Sequence, residues 1–190
     1  MSDARHDAPK RDEPRVPWQA LALPVALALA IIALVQHLLR SGLASKAGFL
    51  GPGNLLADVT LVLALTCVAG LTFGFVLARR GNIGAHHINQ STWFLGVVVL
   101  VWLAMLPSLA DVWPGKLADF ADARFWLTWL HAAIGSLTLL SAVHIVSAMN
   151  GWLPKKLQLG SWKMRMRMTL AGFWISALLG IATYCVYYAA

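Results

Sequence analysis

Five long apolar segments constrain the fold of this chain more than any other feature of the sequence. They cover residues 18–39, 55–78, 92–112, 125–149 and 169–188. As a helix, each is long enough to cross about 30 Å of hydrocarbon at a rise of about 1.5 Å per residue. Only 12% of the residues are charged, about half the share in a soluble domain. The sequence therefore predicts an all-α membrane protein, a bundle of five transmembrane helices.

The N-terminal stretch has a different composition. Residues 1–17 mix acidic, basic and proline residues, which predicts a disordered tail. The first apolar segment is longer than the apolar core of a signal peptide and has no small-residue cleavage site, so we expect it to remain in the mature protein. The predicted organisation is a tail at 1–17 and a transmembrane domain at 18–190.

The basic residues indicate how the bundle is oriented. Eleven of the 15 Lys and Arg residues fall in the N-terminal tail and in the second and fourth connections, and four fall on the alternate side. By the positive-inside rule, this distribution predicts a cytoplasmic N-terminus and an external C-terminus. We therefore expect a multi-pass protein of a bacterial-type inner membrane. The positive charge would contact lipid headgroups, and no nucleic-acid partner is predicted.

Several other residues carry structural expectations. Small residues recur at every fourth position in the second segment and in the fifth, a spacing that predicts close helix contact in lipid. They are Gly70, Gly74 and Ala78, and Gly172, Ser176 and Gly180. Pro107 is expected to distort the third span. Asp58 and Asp111 lie near span ends, where their carboxylates are expected to reach the headgroup layer.

Five histidines fall within or beside the apolar segments. The stretch "HAAIGSLTLLSAVH" begins at His131 and ends at His144 with no charged residue between, and an ionisable side chain at the centre of a bilayer costs roughly 3 kcal/mol or more. His37 lies near the outer end of the first span, at a depth similar to that of His131. His86 and His87 lead into the third span, on the same side as His144. The pattern predicts an outer pair and an inner cluster.

Imidazole is a common ligand of haem iron and copper and also carries protons near neutral pH. His131 and His144 are separated by about 20 Å along a helix, which suits two haem b groups near opposite faces of the membrane. They are also rotated by roughly 140° about the helix axis, so they address different neighbours. The alternative is that each histidine only satisfies local hydrogen bonds.

The chain has no Walker loop, HExxH, GxSxG or CxxC motif. No catalytic residue is therefore predicted. The sequence favours a protein that is not an enzyme without deciding the point.

The C-terminal half resembles a known family. A basic loop enters a span through "RRGNIGAHHINQSTWF", a later span opens with "FWLTWLHAAIGSLTLL", and the chain ends with "RMTLAGFWISALLGIATYCVYY". These stretches, over residues 79–188, are similar to CtaM-like small membrane proteins associated with haem–copper oxidases. The resemblance implies a role in the assembly of a terminal oxidase, with His86 or His87 and His131 handling haem or metal. The family has a further histidine in the last basic loop, where this chain has "GSWKMRMRM", and His144 is the candidate replacement.

Three hypotheses for function follow. The first is a respiratory-chain membrane protein that handles haem or copper and assists the assembly of a terminal oxidase, with His131, His87 and His144 as metal ligands. The second is a di-haem electron-transfer cytochrome of the b561 type, with His37 and His131 as one axial pair and His144 with His86 or His87 as the other. The third is a structural subunit or scaffold without chemistry, whose main contact is the lipid bilayer.

Overall fold

The computed structural model describes residues 19–110, 121–149, 152–154 and 161–188, and the predicted tail at 1–17 and Asp111 lie outside these ranges. Five helices are long and apolar enough to cross a membrane. In chain order they are α1 (Gln19–Arg40), α2 (Leu55–Arg79), α3 (Ile83–Leu109), α4 (Ala123–Met149) and α5 (Trp162–Tyr188). The described residues contain no β-strand. The prediction of an all-α bundle with five potential membrane spans is confirmed.

Local sequence signals explain where the helices begin and end. Asn54 caps α2 by accepting a hydrogen bond from the Ala57 amide at 2.8 Å, and Asn82 caps α3 through the Ala85 amide at 3.2 Å. An Asn side chain in this position satisfies an amide that has no partner within the helix. Between α2 and α3, Gly81 adopts a φ of 78°, a left-handed conformation that glycine accepts without steric cost. The two helices can therefore be joined by a very short connection.

The third helix changes its hydrogen-bonding pattern before Pro107. Residues Val101–Met105 form a π-helical turn, in which the Leu106 amide donates to the Val101 carbonyl. Pro107 has no amide hydrogen and cannot bond to the carbonyl of Leu103, four residues earlier. A π-helical turn is a common local adjustment in such a helix. The expected distortion of this span therefore takes the form of a π turn.

Two of the helices begin earlier than the hydropathy pattern indicated. Helix α3 begins at Ile83, whereas we expected the span to begin near 92, and α5 begins at Trp162 rather than near 169. The first turns of α3 carry His86 and His87, which we had placed in the lead-in to the span. The first turns of α5 carry Lys163 and Arg165. Polar first turns thus extend both helices beyond their most apolar portions.

The helices pack in the order α1–α3–α2–α5–α4, judged by their most extensive contacts. One core cluster joins α1 and α3 through Ile31, Val35, Leu100 and Ala104. The other joins α2, α4 and α5 and is packed against α3; its buried members are Val68, Leu71, Ala142, Phe173 and Ala177. Because hydrogen bonds join Asp58 to Tyr184 and Thr72 to Trp174, α2 and α5 run antiparallel.

Large apolar side chains cover much of the outside of the bundle. Trp102 is 71% exposed, Leu137 68% and Leu178 60%. A soluble protein rarely shows so much contiguous apolar surface, whereas lipid contact requires it. The side of the bundle that holds the end of α2 and the start of α3 is called the Arg79 end below, and the opposite side is called the Asp58 end.

Candidate functional site: polar groups inside the bundle

His131 lies in the contact between α4 and α5. Its Nδ1 is 3.0 Å from the carbonyl oxygen of Ser176. A carbonyl oxygen can only accept, so Nδ1 carries a proton, and in the neutral imidazole Nε2 keeps its lone pair. Gly180 makes the close approach possible, since a Cβ there would lie 3.2 Å from Cε1 of the imidazole. The expected small-residue face of the fifth span is confirmed, and one of its roles is to accommodate His131.

His86 occupies the equivalent position between α2 and α3, at the Arg79 end. Its Nδ1 is 2.8 Å from the carbonyl oxygen of Gly74, so it also donates from Nδ1. Histidines that ligate a metal through Nε2 are commonly oriented by such a bond from the other ring nitrogen. The same bond also stabilises helix packing without any ligand. The geometry of His86 and His131 is therefore suited to ligation but is not specific for it.

Helix α3 continues this polar contact along one stripe. The side-chain amide of Asn89 donates to the Gly70 carbonyl at 2.7 Å, and the side-chain amide of Gln90 donates to the Leu71 carbonyl at 3.0 Å. Trp93 donates to the Asn89 side-chain oxygen at 3.2 Å. Positions i, i+3, i+4 and i+7 lie on one face of a helix. Within the stretch "HHINQSTW", residues 86–93, His86, Asn89 and Gln90 therefore direct their polar groups at the backbone of α2.

His144 differs from the other histidines because one ring nitrogen is buried without a partner. Its Nε2 forms no hydrogen bond with any residue in the described ranges and is shielded from solvent. The neighbouring turn is satisfied, since the hydroxyls of Ser141 and Thr169 lie 2.7 Å apart. Leaving a buried polar atom unpaired costs roughly 1–3 kcal/mol. His144 is thus maintained at an energetic cost inside the bundle.

The remaining expected site residues lie on the surface. The side chains of His37 and His87 are exposed, and the rings of His86 and His87 have centroids 5.7 Å apart. Among the described residues, no ring contact or hydrogen bond joins His37 to His131, or His144 to His86 or His87. In neither of the two expected axial pairs do the two histidines therefore contact each other.

A closed metal site is not formed by the part of the chain that the structure describes. No three His, Cys, Asp or Glu side chains come together there as a metal-binding group. The expected ligand His87 occupies an exposed face of α3, His131 the α4–α5 contact, and His144 a half-buried position on α4. A metal ion or haem that binds to one of these histidines would therefore be held by a single imidazole of this chain.

The position of the Asp58 side chain differs from the expectation drawn from the sequence. We expected its carboxylate to reach the headgroup layer, but the side chain is completely buried. Oδ1 accepts from the Tyr184 hydroxyl at 2.5 Å and Oδ2 from the Leu50 amide at 2.6 Å. A Cβ on Gly48 would overlap this carboxylate. The loop between α1 and α2 folds over Asp58, and its glycine-rich composition was the only signal in the sequence.

No protein family, curated protein or solved structure matches this chain.

Proposed function

We propose that this chain is an integral membrane protein of a respiratory chain that handles haem or a metal ion, copper above all, through its intramembrane histidines. In this role it assists the assembly of a terminal oxidase. The observation that carries the proposal is the buried, unpartnered Nε2 of His144. In the tautomer that protonates Nδ1, this nitrogen holds a lone pair in an apolar interior, where it can accept a proton or bind a metal centre.

The other histidines support a transfer role rather than a permanent site. His131 and His86 are each oriented through Nδ1 by a backbone carbonyl, which leaves Nε2 as the nitrogen that can bind metal. They belong to separate helix contacts, so haem or copper bound here takes one imidazole from the chain at a time. The other coordination positions then stay available to a recipient protein. The oxidase as recipient rests on the resemblance of residues 79–188 to the CtaM-like family.

The carbonyl-anchored imidazoles also support a second candidate, the di-haem cytochrome of the b561 type. Axial histidines are typically held in this way, and His131 and His86 lie towards opposite ends of the bundle. A cytochrome would need a second imidazole for each iron. In this structure, such a pair would require the helices to move relative to one another or a second protein chain to contribute it.

Titration of the purified protein with haem and with Cu(I) tests the proposal. The variant is His144→Leu, which removes the nitrogen at similar volume, and the matched control is His37→Leu on the exposed surface of α1. We expect wild type and His37→Leu to bind and His144→Leu to lose at least tenfold in affinity. Equal binding by all three proteins, or binding by none, would refute the role of His144.

The same preparations distinguish the cytochrome. A cytochrome would purify with bound haem and give a sharp reduced-minus-oxidised band, lost in both His131→Ala and His86→Ala. The oxidase role is tested separately by deleting the gene and measuring terminal-oxidase activity in membranes. We expect wild type, but not His144→Leu, to restore activity when both proteins are present at equal amounts. Full activity in the deletion strain would refute a role in assembly.

A further inference from the structure

A long groove separates α1 from α2 and α3 at the Arg79 end of the bundle. Towards the other end, α1 packs closely on α3 through Ile31 and Val35. At the Arg79 end, the three helices enclose a volume of about 750 Å³ that is open on one side, with Leu23 of α1 and Phe73 of α2 among its lining residues. None of the five histidines discussed above lines this space. The groove is therefore separate from the candidate haem or metal site.

The length and depth of the groove match one leaflet of a bilayer. Its lining on α2 runs from Leu77, two residues before the end of the helix, to Thr66 near the helix centre. These 11 helical steps correspond to roughly 16 Å. Half of a hydrocarbon core of about 30 Å is about 15 Å. The groove thus extends from the headgroup level to the middle of the membrane.

The polar groups in the lining are already used within the protein. Thr66 donates to the Val62 carbonyl at 2.8 Å, and Thr92 donates to the Ile88 carbonyl at 2.8 Å. Asn89 bonds to the Gly70 carbonyl and to Trp93. Each of these side chains satisfies its donor internally, so the groove offers an apolar surface along its length. An occupant that fits it is a hydrocarbon chain.

Positive charge stands at the mouth of the groove. Arg80 lies three positions after Leu77, the last lining residue of α2, and therefore on the same helix face, and its side chain is exposed. The Arg79 guanidinium instead lies 5.9 Å from the centroid of the Phe75 ring, outside the lining. An Arg guanidinium matches the geometry of a phosphate, and each basic residue near an anionic membrane surface contributes about 1 kcal/mol. We propose that the groove binds one anionic phospholipid of the bilayer, with an acyl chain along α2 and its phosphate against Arg80.

The proposal is tested by counting the lipids that the protein retains. The protein is placed in bilayer discs with equal amounts of anionic phosphatidylglycerol and zwitterionic phosphatidylcholine, extracted in mild detergent, and weighed by native mass spectrometry. We expect one phosphatidylglycerol to be retained in preference to phosphatidylcholine. In Arg80→Gln, its affinity is expected to fall about fivefold. Arg40→Gln, at the Asp58 end, should bind as wild type does.

A second variant fills the groove itself. Ala69 lines it and its side chain is exposed, so Ala69→Phe occupies the space without displacing core residues. The matched control is Ala133→Phe, at an exposed position of α4. We expect Ala69→Phe to lose the retained lipid and Ala133→Phe to keep it. The proposal is overturned by retention of no lipid, by equal retention of both lipids, by unchanged retention in Ala69→Phe, or by a protein in place of the lipid.

Discussion

At the scale of single residues, two buried polar groups contrast with each other. Both oxygens of the Asp58 carboxylate receive hydrogen bonds, and the groups that supply them come from the α1–α2 loop and from α5. Nε2 of His144 receives none from a described residue. A buried group that is fully paired holds elements together. The unpaired one contributes no such stabilisation, which is why we assign a structural role to Asp58 and propose ligand binding for His144.

The role of Asp58 leads to a stability prediction. Tyr184→Phe removes the donor to Oδ1 and leaves that oxygen buried without it. Hydrogen bonds to charged groups contribute about 1.5–3 kcal/mol, and the free energy of unfolding is expected to fall by that amount. Equilibrium unfolding in mixed micelles measures the change.

Tyr188→Phe is the matched control, because the Tyr188 ring contacts the Tyr184 ring with centroids 5.1 Å apart and planes tilted by 47°, and no hydrogen bond joins its hydroxyl to a described residue. We expect Tyr188→Phe to change the unfolding free energy by less than about 0.5 kcal/mol. Equal losses in the two variants would show that the hydroxyl bond to Asp58 does not stabilise the fold.

At the scale of elements, the α2–α3 pair shows how polar residues are used within this bundle. His86, Asn89 and Gln90 donate to carbonyls of α2, and glycines on α2 let α3 approach closely. A Cβ on Gly70 would overlap the Trp93 ring, and one on Gly74 would lie 2.5 Å from the Asn89 amide nitrogen. Close approach and side-chain bonds to the backbone therefore depend on each other, as expected for helices in lipid.

A pair of matched substitutions tests this dependence. Gly70→Ala forces Trp93 away from α2, and overpacking of this kind costs typically 1–3 kcal/mol. Gly84 is also helical but has open space where a Cβ would lie, so Gly84→Ala should be neutral or stabilising by up to about 1 kcal/mol.

Unfolding measurements on the two variants give the comparison. If Gly70→Ala were as stable as Gly84→Ala, the close α2–α3 contact would not be a feature of the folded protein.

Hydropathy predicted that all five helices exist but placed the start of α3 too late. The apolar segment expected for the third span leaves out His86, Asn89 and Gln90 because they are polar, yet each forms a hydrogen bond with a carbonyl of α2. Asp58 illustrates the same difficulty, since its partners Leu50 and Tyr184 are 8 and 126 residues away. Apolar length is a property of one segment and can be read directly, whereas a partner on another element appears only after folding. The lack of a hydrogen-bond partner at His144 Nε2 among the described residues also depends on how the helices pack, so the sequence could not predict it.

At the scale of the whole molecule, the charge distribution predicts the orientation of the bundle. Of the described basic residues, Arg79, Arg80, Lys163, Arg165 and Arg167 lie at the Arg79 end, and Arg40, Lys46 and Arg124 lie at the Asp58 end. The positive-inside rule predicts that the Arg79 end faces the cytoplasm. In that orientation, the proposed lipid groove opens to the cytoplasmic leaflet and His144 lies in the same half of the membrane.

Reporter fusions after Ala190 test this orientation. We expect alkaline phosphatase, which is active only outside the cytoplasm, to be active there, and a fluorescent protein that matures only inside to be dark. Replacing Arg79 and Arg80 with Gln weakens the asymmetry and should lower the phosphatase signal. A bright fluorescent fusion with an inactive phosphatase would place the C-terminus inside and contradict the assignment.

The measurement that tests the central claim most directly is the unfolding free energy of wild type and His144→Leu, each with and without haem or Cu(I). Without ligand, His144→Leu should be more stable by roughly 1–3 kcal/mol, because it removes a buried unpaired nitrogen. With ligand at about 100 times its dissociation constant, wild type should gain about 2.7 kcal/mol and the variant little. A variant that is less stable than wild type without ligand, or that gains as much from the ligand, would show that His144 is a structural residue.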